Sequence, residues 1–232
     1  MMSLDAWSGS GLVDKDGVPR IYYTAGNSNR FPNQAVALAQ PEDTEEDPLL
    51  KKWKKYPSLI KEQDIGWLGE FRDPFVWIEN DSYFMLVGTG DEHNGGGNAA
   101  LYASSDGLHW GSCGMLVDYD YESNQRCGHV WELPVLLPLR DDSGKIVCHI
   151  MIFCACQIEH DIVETYYFLG NWDASKRTFT KWNDRAQLLD LGHGTLLDQV
   201  DLLHQTNEAL YLLIAQGKKI PFMMNIMQVG SH

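Results

Sequence analysis

Apolar residues in this chain gather into short runs, and Gly, Asn and Asp stand between them. Four runs share one design, a Gly or Asn turn followed by a stretch suited to a strand. They occupy residues 17–24, 80–87, 144–152 and 207–214, a spacing of about 63 residues. A strand is predicted before each turn, over 7–13, 73–78, 132–139 and 195–203. A third follows over 35–39, 99–103 and 166–169, and a fourth, more polar one lies near Trp53, Trp110 and Trp182. Helical periodicity is weak; only residues 48–55 suit a turn or two of helix.

Units of about four strands recurring at a fixed period predict an all-β repeat protein, a β-propeller with about four blades in this chain. A pair of β-sandwiches also gives evenly spaced strands, but no reason for the longer period. Residues 6–229 read as a single, incomplete propeller domain of catalytic type, with 1–5 as a leader and 230–232 as a tag scar.

Composition narrows the function classes. With 44% hydrophobic and 22% charged residues the chain is ordinary for a globular protein. Its 32 acidic against 18 basic residues give a net charge of −14, which repels polyanions, so no nucleic acid is expected as a partner. The lysines at 51, 52, 54 and 55 follow an acidic run over 42–47, and the two together read as a solvated connection. No apolar stretch reaches the roughly 18 residues that span a bilayer, so no membrane partner is expected. A basic segment followed by an apolar run is missing at the start, so no signal peptide is read and the compartment stays open.

The five cysteines, at 113, 127, 148, 154 and 156, form no C-x-x-C pair and are read as buried free thiols. Asp91, Glu92 and His93 resemble metal ligands, but Gly95-Gly96-Gly97 beside them suggests a mobile loop. Neither a metal nor any other cofactor is predicted.

In a propeller the first strand of each blade lines the central channel, so corresponding ends of those strands converge on one pocket. They carry Trp7-Ser8-Gly9-Ser10, Arg72-Asp73-Pro74, Trp131-Glu132-Leu133-Pro134 and the region of His193, Gly194 and Thr195. Equivalent positions in successive blades then hold an aromatic, an Asp beside an Arg, and a Glu, a combination suited to a polyhydroxylated ligand. Arg72-Asp73-Pro74 also fits a plain turn. Period-two alternation leaves Glu132 free to face either the channel or solvent, while Pro134 favours an edge-like or channel-lining strand.

The ordered set Trp7-Ser8-Gly9-Ser10, Phe71-Arg72-Asp73-Pro74 and Trp131-Glu132-Leu133-Pro134 resembles glycoside hydrolase family 32, which contains invertases, levanases, inulinases and fructosyltransferases. Tyr22-Tyr23-Thr24, residues 34–39, Trp53, Ser104-Ser105-Asp106-Gly107 and residues 167–173 extend the resemblance over nearly the whole chain. It implies a five-bladed propeller that cleaves β-fructofuranosidic bonds of sucrose or fructans with retention. It also implies roles: Glu132 as acid/base, Asp73 as transition-state stabiliser, and Trp7, Ser8, Arg72 and Trp131 as substrate-binding residues. Leu133 stands where a Cys commonly follows the Glu, which changes the surroundings of the acid and not its identity.

One element of the family pattern is missing. The nucleophilic Asp belongs to an Asn-Asp-Pro segment on a blade upstream of Trp-Ser-Gly-Ser, and no Asn-Asp-Pro occurs in this sequence. The expectation is a propeller without its first blade and with impaired turnover, since no covalent intermediate can form without a nucleophile. Two alternatives stand beside it. One is a non-catalytic carbohydrate-binding propeller; the other is an inverting arabinose- or xylose-directed glycosidase, whose carboxylates would sit roughly 6.5–9.5 Å apart rather than about 5 Å. Exposed blade edges would favour a homo-oligomer.

Overall fold

In the computed structural model, which describes residues 5–27, 29, 31–60, 63–158, 163–189, 195–198 and 212–215, the apolar runs become antiparallel strands joined by turns. Blade 1 is a sheet of β1 (Asp5–Val13), β2 (Pro19–Gly26), β3 (Val36–Pro41) and β4 (Trp53–Lys55), in that order. Blade 2 repeats it with β5 (Phe71–Glu79), β6 (Ser82–Gly90), β7 (Gly97–Ser104) and β8 (Gly111–Met115). Blade 3 holds β9 (Val130–Arg140), β10 (Ile146–Cys156), β11 (Val163–Asp173) and β12 (Thr178–Lys181), and the short β13 (Gln187–Leu188) also pairs with β11. A hairpin of β14 (Thr195–Asp198) and β15 (Leu212–Ala215) follows. The rest of the fourth predicted unit, with His193 and Gly194, lies outside the described residues, as do 1–4 and 230–232.

Successive sheets stack face to face, and this explains why the middle strands read as unbroken apolar runs. In β6 every residue after Ser82 is buried. Met85 and Val87 join Tyr22, Val36 and Leu38 in a core between blades 1 and 2. Phe84 and Leu86 point the other way, into a core with Trp131, Phe153 and Phe168 between blades 2 and 3. A strand buried on both faces loses the polar alternation of a one-sided sheet. Each such Leu, Met or Val stabilises the stack by about 1.5–3 kcal/mol.

The repeating turns are made by local chemistry. Between β5 and β6, Asn80 and Asp81 sit at φ 48° and 60°, the left-handed pair that a two-residue hairpin needs. Asp14 Oδ1 accepts from the N–H groups of Asp16 and Val18 at 2.9 and 2.8 Å. Asp141 Oδ1 does the same for Ser143 and Lys145 at 2.9 and 3.0 Å.

No helix forms over 48–55. The Asp47 carboxylate accepts from Lys51 N and Lys52 N, Leu50 turns at φ 51°, and Trp53–Lys55 joins the sheet as β4. The helical turn among the described residues is instead a 3-10 piece, Glu122–Cys127, followed by Gly128 at φ 69°. Its polar sequence carries no apolar periodicity to announce it.

Candidate active site

Each innermost strand is broken by a bulge at the same height. The register slips between Ala6 and Gly9 in β1, between Arg72 and Phe75 in β5, and opposite the step from Ile152 to Cys154 in β9. Two residues then oppose one on the partner strand, which re-aims side chains at that point. Trp7-Ser8, Asp73-Pro74 and Leu133-Pro134 are therefore the equivalent pairs. This corrects the expected alignment: Glu132 corresponds to Arg72 of blade 2, and Asp73 corresponds to Leu133 of blade 3. Asp73 and Leu133 take φ 59° and 49° at their bulges, a conformation that costs a non-glycine residue of order 1 kcal/mol. Pro134 has no N–H to give, and the bulge asks for none there.

The offset brings the acidic residues together. Arg72 donates from Nε to Glu132 Oε1 at 2.9 Å and from Nη1 to Glu70. Gln34 Oε1 accepts from Phe71 N at 2.7 Å and lies 3.3 Å from Arg72 Nη1. Burial alone would weaken the Arg72 charge, but Glu132 and Glu70 outweigh it and raise its pKa. The guanidinium is thus a fixed cation between two carboxylates.

Asp73, buried, stands behind this pair and ties three blades. Its N–H donates to Thr24 Oγ1 at 2.8 Å, and its Oδ2 accepts from Leu133 N at 3.0 Å, one residue after Glu132. Thr24 Oγ1 in turn donates to Ser8 O at 3.1 Å. A chain of bonds therefore runs from the Trp7-Ser8 bulge through Thr24 and Asp73 to the strand that carries Glu132. The Trp7 indole lies over Gly26, where a Cβ would fall 2.3 Å from the ring, and 39% of the residue stays exposed. The Ser8 side chain is exposed beside it.

Trp131 departs from expectation. It has no exposed surface; its indole stacks on Phe153 with ring centroids 3.6 Å apart, and Nε1 donates to Cys127 O at 2.9 Å. It cannot form a ligand wall from there. Alternation along β9 puts Trp131 into the core between blades 2 and 3 and turns Glu132 toward Arg72, so the buried Trp131 anchors the strand beside Glu132.

The cluster also draws in residues to which the family resemblance assigns no role. Thr24 and Gln34 lie inside the family-like stretches and join it through their hydrogen bonds to Asp73 N and Phe71 N. Glu70 carries a signal in its spacing, a carboxylate two residues before Arg72. Cys156 is two positions beyond Cys154, the cross-strand partner of Glu132, and so shares its face. Burial first, and then the Glu132 carboxylate, push the Cys156 thiol pKa far up.

Asp91 serves its own loop, accepting from His93 N at 3.0 Å, and no group of three metal-binding side chains occurs among the described residues. A cleft of about 530 Å³ opens at the opposite ends of the blades, lined by Glu79, Ser82, Phe84, Ser104, His109 and Arg177. It has no paired carboxylates and lies away from Glu132.

The sequence profile of the glycosyl hydrolases family 32 N-terminal domain matches residues 2–199. A fructan 1-exohydrolase of Triticum aestivum is 30% identical over 201 residues, which is 82% of this chain and 32% of that protein. An insoluble β-fructofuranosidase of Arabidopsis thaliana is 27% identical over 76% of this chain and 31% of its own length. The chain thus spans about a third of the length of the curated relatives it matches. Among solved structures, fructan 1-exohydrolase IIa of Cichorium intybus superimposes with a TM-score of 0.71 at 23% identity, covering 89% of this chain and 39% of that one. A β-fructofuranosidase of Bombyx mori, solved with sucrose, superimposes at 0.67 with 20% identity, over 91% of this chain and 43% of its own. These likenesses establish the propeller fold.

Proposed function

The chain belongs to glycoside hydrolase family 32, and on that premise we propose that its carboxylate cluster is the acid/base half of a β-fructosidase site. Glu132 is the acid that protonates the leaving oxygen and then activates water. Asp73 holds the fructosyl hydroxyls and offers fixed negative charge to the oxocarbenium-like transition state. Trp7 and Ser8 line the fructosyl pocket, and Arg72 aims Glu132. The observation that carries the reading is the Asp73–Leu133 hydrogen bond of 3.0 Å, which locks the stabiliser onto the strand of the acid, together with the Arg72–Glu132 contact of 2.9 Å. Preorganised charge of this kind costs no rearrangement during the reaction.

Retention needs a nucleophile as well, and the Asn-Asp-Pro segment that carries it in the family is not in this sequence. We propose that the chain by itself therefore turns over sucrose and fructans slowly. That same observation favours a second reading, in which the pocket binds fructosides without cleaving them.

Fructose release from sucrose, inulin and levan tests both, with Glu132→Gln as the control. Slow release that falls by about a hundredfold or more in the variant supports the acid/base role. Fructose binding in calorimetry without release supports the binding-only reading. Neither release nor binding would overturn the assignment of this site.

A further inference from the structure

Away from Glu132, the seam between blades 2 and 3 opens into the cleft of about 530 Å³ at the far ends of the blades. A second cleft, of about 380 Å³, lies between β8 and the β11–β12 turn and is lined by Met115, Asp118, Lys176 and Phe179. Arg177 borders both, so the two form one groove along the outer side of the seam. Each volume falls within the range of ligand sites, about 300–1,000 Å³.

Two turns hold the walls of this groove in place. Asp173 Oδ1 accepts from Ser175 N and Lys176 N at 3.0 and 3.1 Å, and from the Ser175 hydroxyl at 2.6 Å. Lys176 first, and then Ser175, hold the Asp173 carboxyl well below the usual carboxylate range. On blade 2, Ser104 Oγ donates to Asp106 Oδ1 at 3.0 Å, and Asp106 Oδ2 meets His109 Nδ1 at 2.8 Å, which fixes the imidazole at the rim. On the floor, Glu79 Oε2 accepts from Trp172 Nε1 at 2.9 Å, and the Phe84 ring packs on Trp77 and Trp172 with centroids 5.4 Å from each.

Arg177 is set apart from the other cations. It sits at φ 57°, a left-handed conformation that strains any residue with a Cβ. Its Nη1 lies 3.6 Å from Cys113 Sγ. Arg20, Arg72, Lys176 and Lys181 each pair with a carboxylate, and Arg177 pairs with none among the described residues. In a chain of 32 acidic and 18 basic residues, a strained turn that presents an unpaired guanidinium to a groove points to a ligand.

The chemistry of the groove selects that ligand. Glu79 and Asp118 line it along with Arg177 and Lys176, one carboxylate to each cation. An anion would meet the carboxylates, and a cation would meet the basic groups. A neutral polyhydroxylated chain satisfies both, giving hydroxyl protons to Glu79 and Asp118 and accepting from Arg177 and Ser82. Two clefts joined end to end suit a linear run of rings. Their carboxylates stand in separate clefts, so the groove holds a chain without cutting it.

We propose that this groove is a second, non-catalytic binding site for a segment of a fructan chain, with Arg177 as its anchor. Polymer held there stays with the protein while its ends are free to reach the central pocket. The choice of a fructan rests on the fructosidase reading.

Calorimetric titration of the whole chain with fructose and with inulin tests it, using Trp7→Ala and Arg177→Gly, singly and together. Trp7→Ala should weaken fructose binding in the central pocket and leave inulin bound at the groove. Glycine suits a left-handed φ, so Arg177→Gly should melt no lower than the parent. It should leave fructose unchanged and, in the Trp7→Ala background, weaken inulin by about tenfold or more, the worth of one charged hydrogen-bonding group. Inulin affinity unaltered by Arg177→Gly, or lost in Trp7→Ala alone, would overturn the groove and leave the central pocket standing. Arg177-dependent inulin binding without any fructose binding would keep the groove and overturn the central pocket. Failure of the wild-type chain to bind either sugar would overturn both.

Discussion

At the scale of single residues, Arg72 holds the site together. Its guanidinium sits among Glu132, Glu70 and Asp73, with a side chain only 16% exposed. Removing it leaves carboxylates facing one another with no cation between them, and breaking a largely buried ion pair costs more than forming one gains. Arg72→Ala should therefore destabilise the chain by about 2 kcal/mol in urea unfolding at neutral pH. Glu70 is 40% exposed at its side chain, so water takes over much of its solvation, and Glu70→Gln should cost well under half as much. Equal losses in the two variants would show that the guanidinium is not the hub. The same residues show what a linear reading can miss. Arg72, Asp73 and Glu132 are visible as motifs, yet their mutual geometry depends on bulges that no single segment reveals.

At the scale of elements, close approach between neighbouring blades depends on positions without a side chain. A Cβ at Gly88 of β6 would fall 2.3 Å from Trp131 O and 3.3 Å from Pro134 Cδ. The first of these is backbone, which cannot swing aside, so Gly88→Ala must push β9 away next to Glu132. The expected cost is about 2–3 kcal/mol, the range for overpacking a dense interior. Gly111 of β8 meets nothing nearer than Ala103 O at 4.0 Å. Gly111→Ala should stay within about 0.5 kcal/mol of the parent, or stabilise by restricting the unfolded chain. Urea midpoints of the two variants provide the check, and similar values would contradict this account of the seam.

At the scale of the whole molecule, the blades are linked by bonds between residues far apart in sequence. Tyr22 donates its hydroxyl proton to Gly107 O at 3.1 Å, and Arg20 donates to Asp106 O at 2.7 Å, joining blades 1 and 2. Trp172 Nε1 donates to Glu79 Oε2 at 2.9 Å, joining blades 2 and 3. Ser104-Ser105-Asp106-Gly107, met first as a family motif, is thus a clasp. Asp106 Oδ1 accepts from Leu108 N and His109 N at 2.8 and 2.9 Å, and the turn so formed presents its carbonyls to Tyr22 and Arg20. Blades that share cores and clasps should unfold together. Far-ultraviolet dichroism and tryptophan fluorescence should follow one urea transition, and Tyr22→Phe should lower its midpoint by the equivalent of about 1 kcal/mol without changing the slope. Two separate transitions would mean that the blades are independent units.

The sequence by itself determined the all-β architecture, the period of about 63 residues and the carboxylates at 73 and 132. These are local properties. Alternation, apolar runs and turn chemistry follow from neighbours in the chain, as at Asn80-Asp81 and at the Asp14 and Asp141 turns. Only the tertiary structure decided which residues meet. It turned Trp131 into the core and Glu132 toward Arg72, recruited Glu70, Gln34 and Thr24, and set Trp67 beside His129. The reason is that a bulge shifts side-chain direction by one residue, and its consequence is felt on the next blade, some 60 residues away in sequence. Composition and spacing do not record such a shift, because it depends on how stacked sheets exclude water and satisfy each buried polar group.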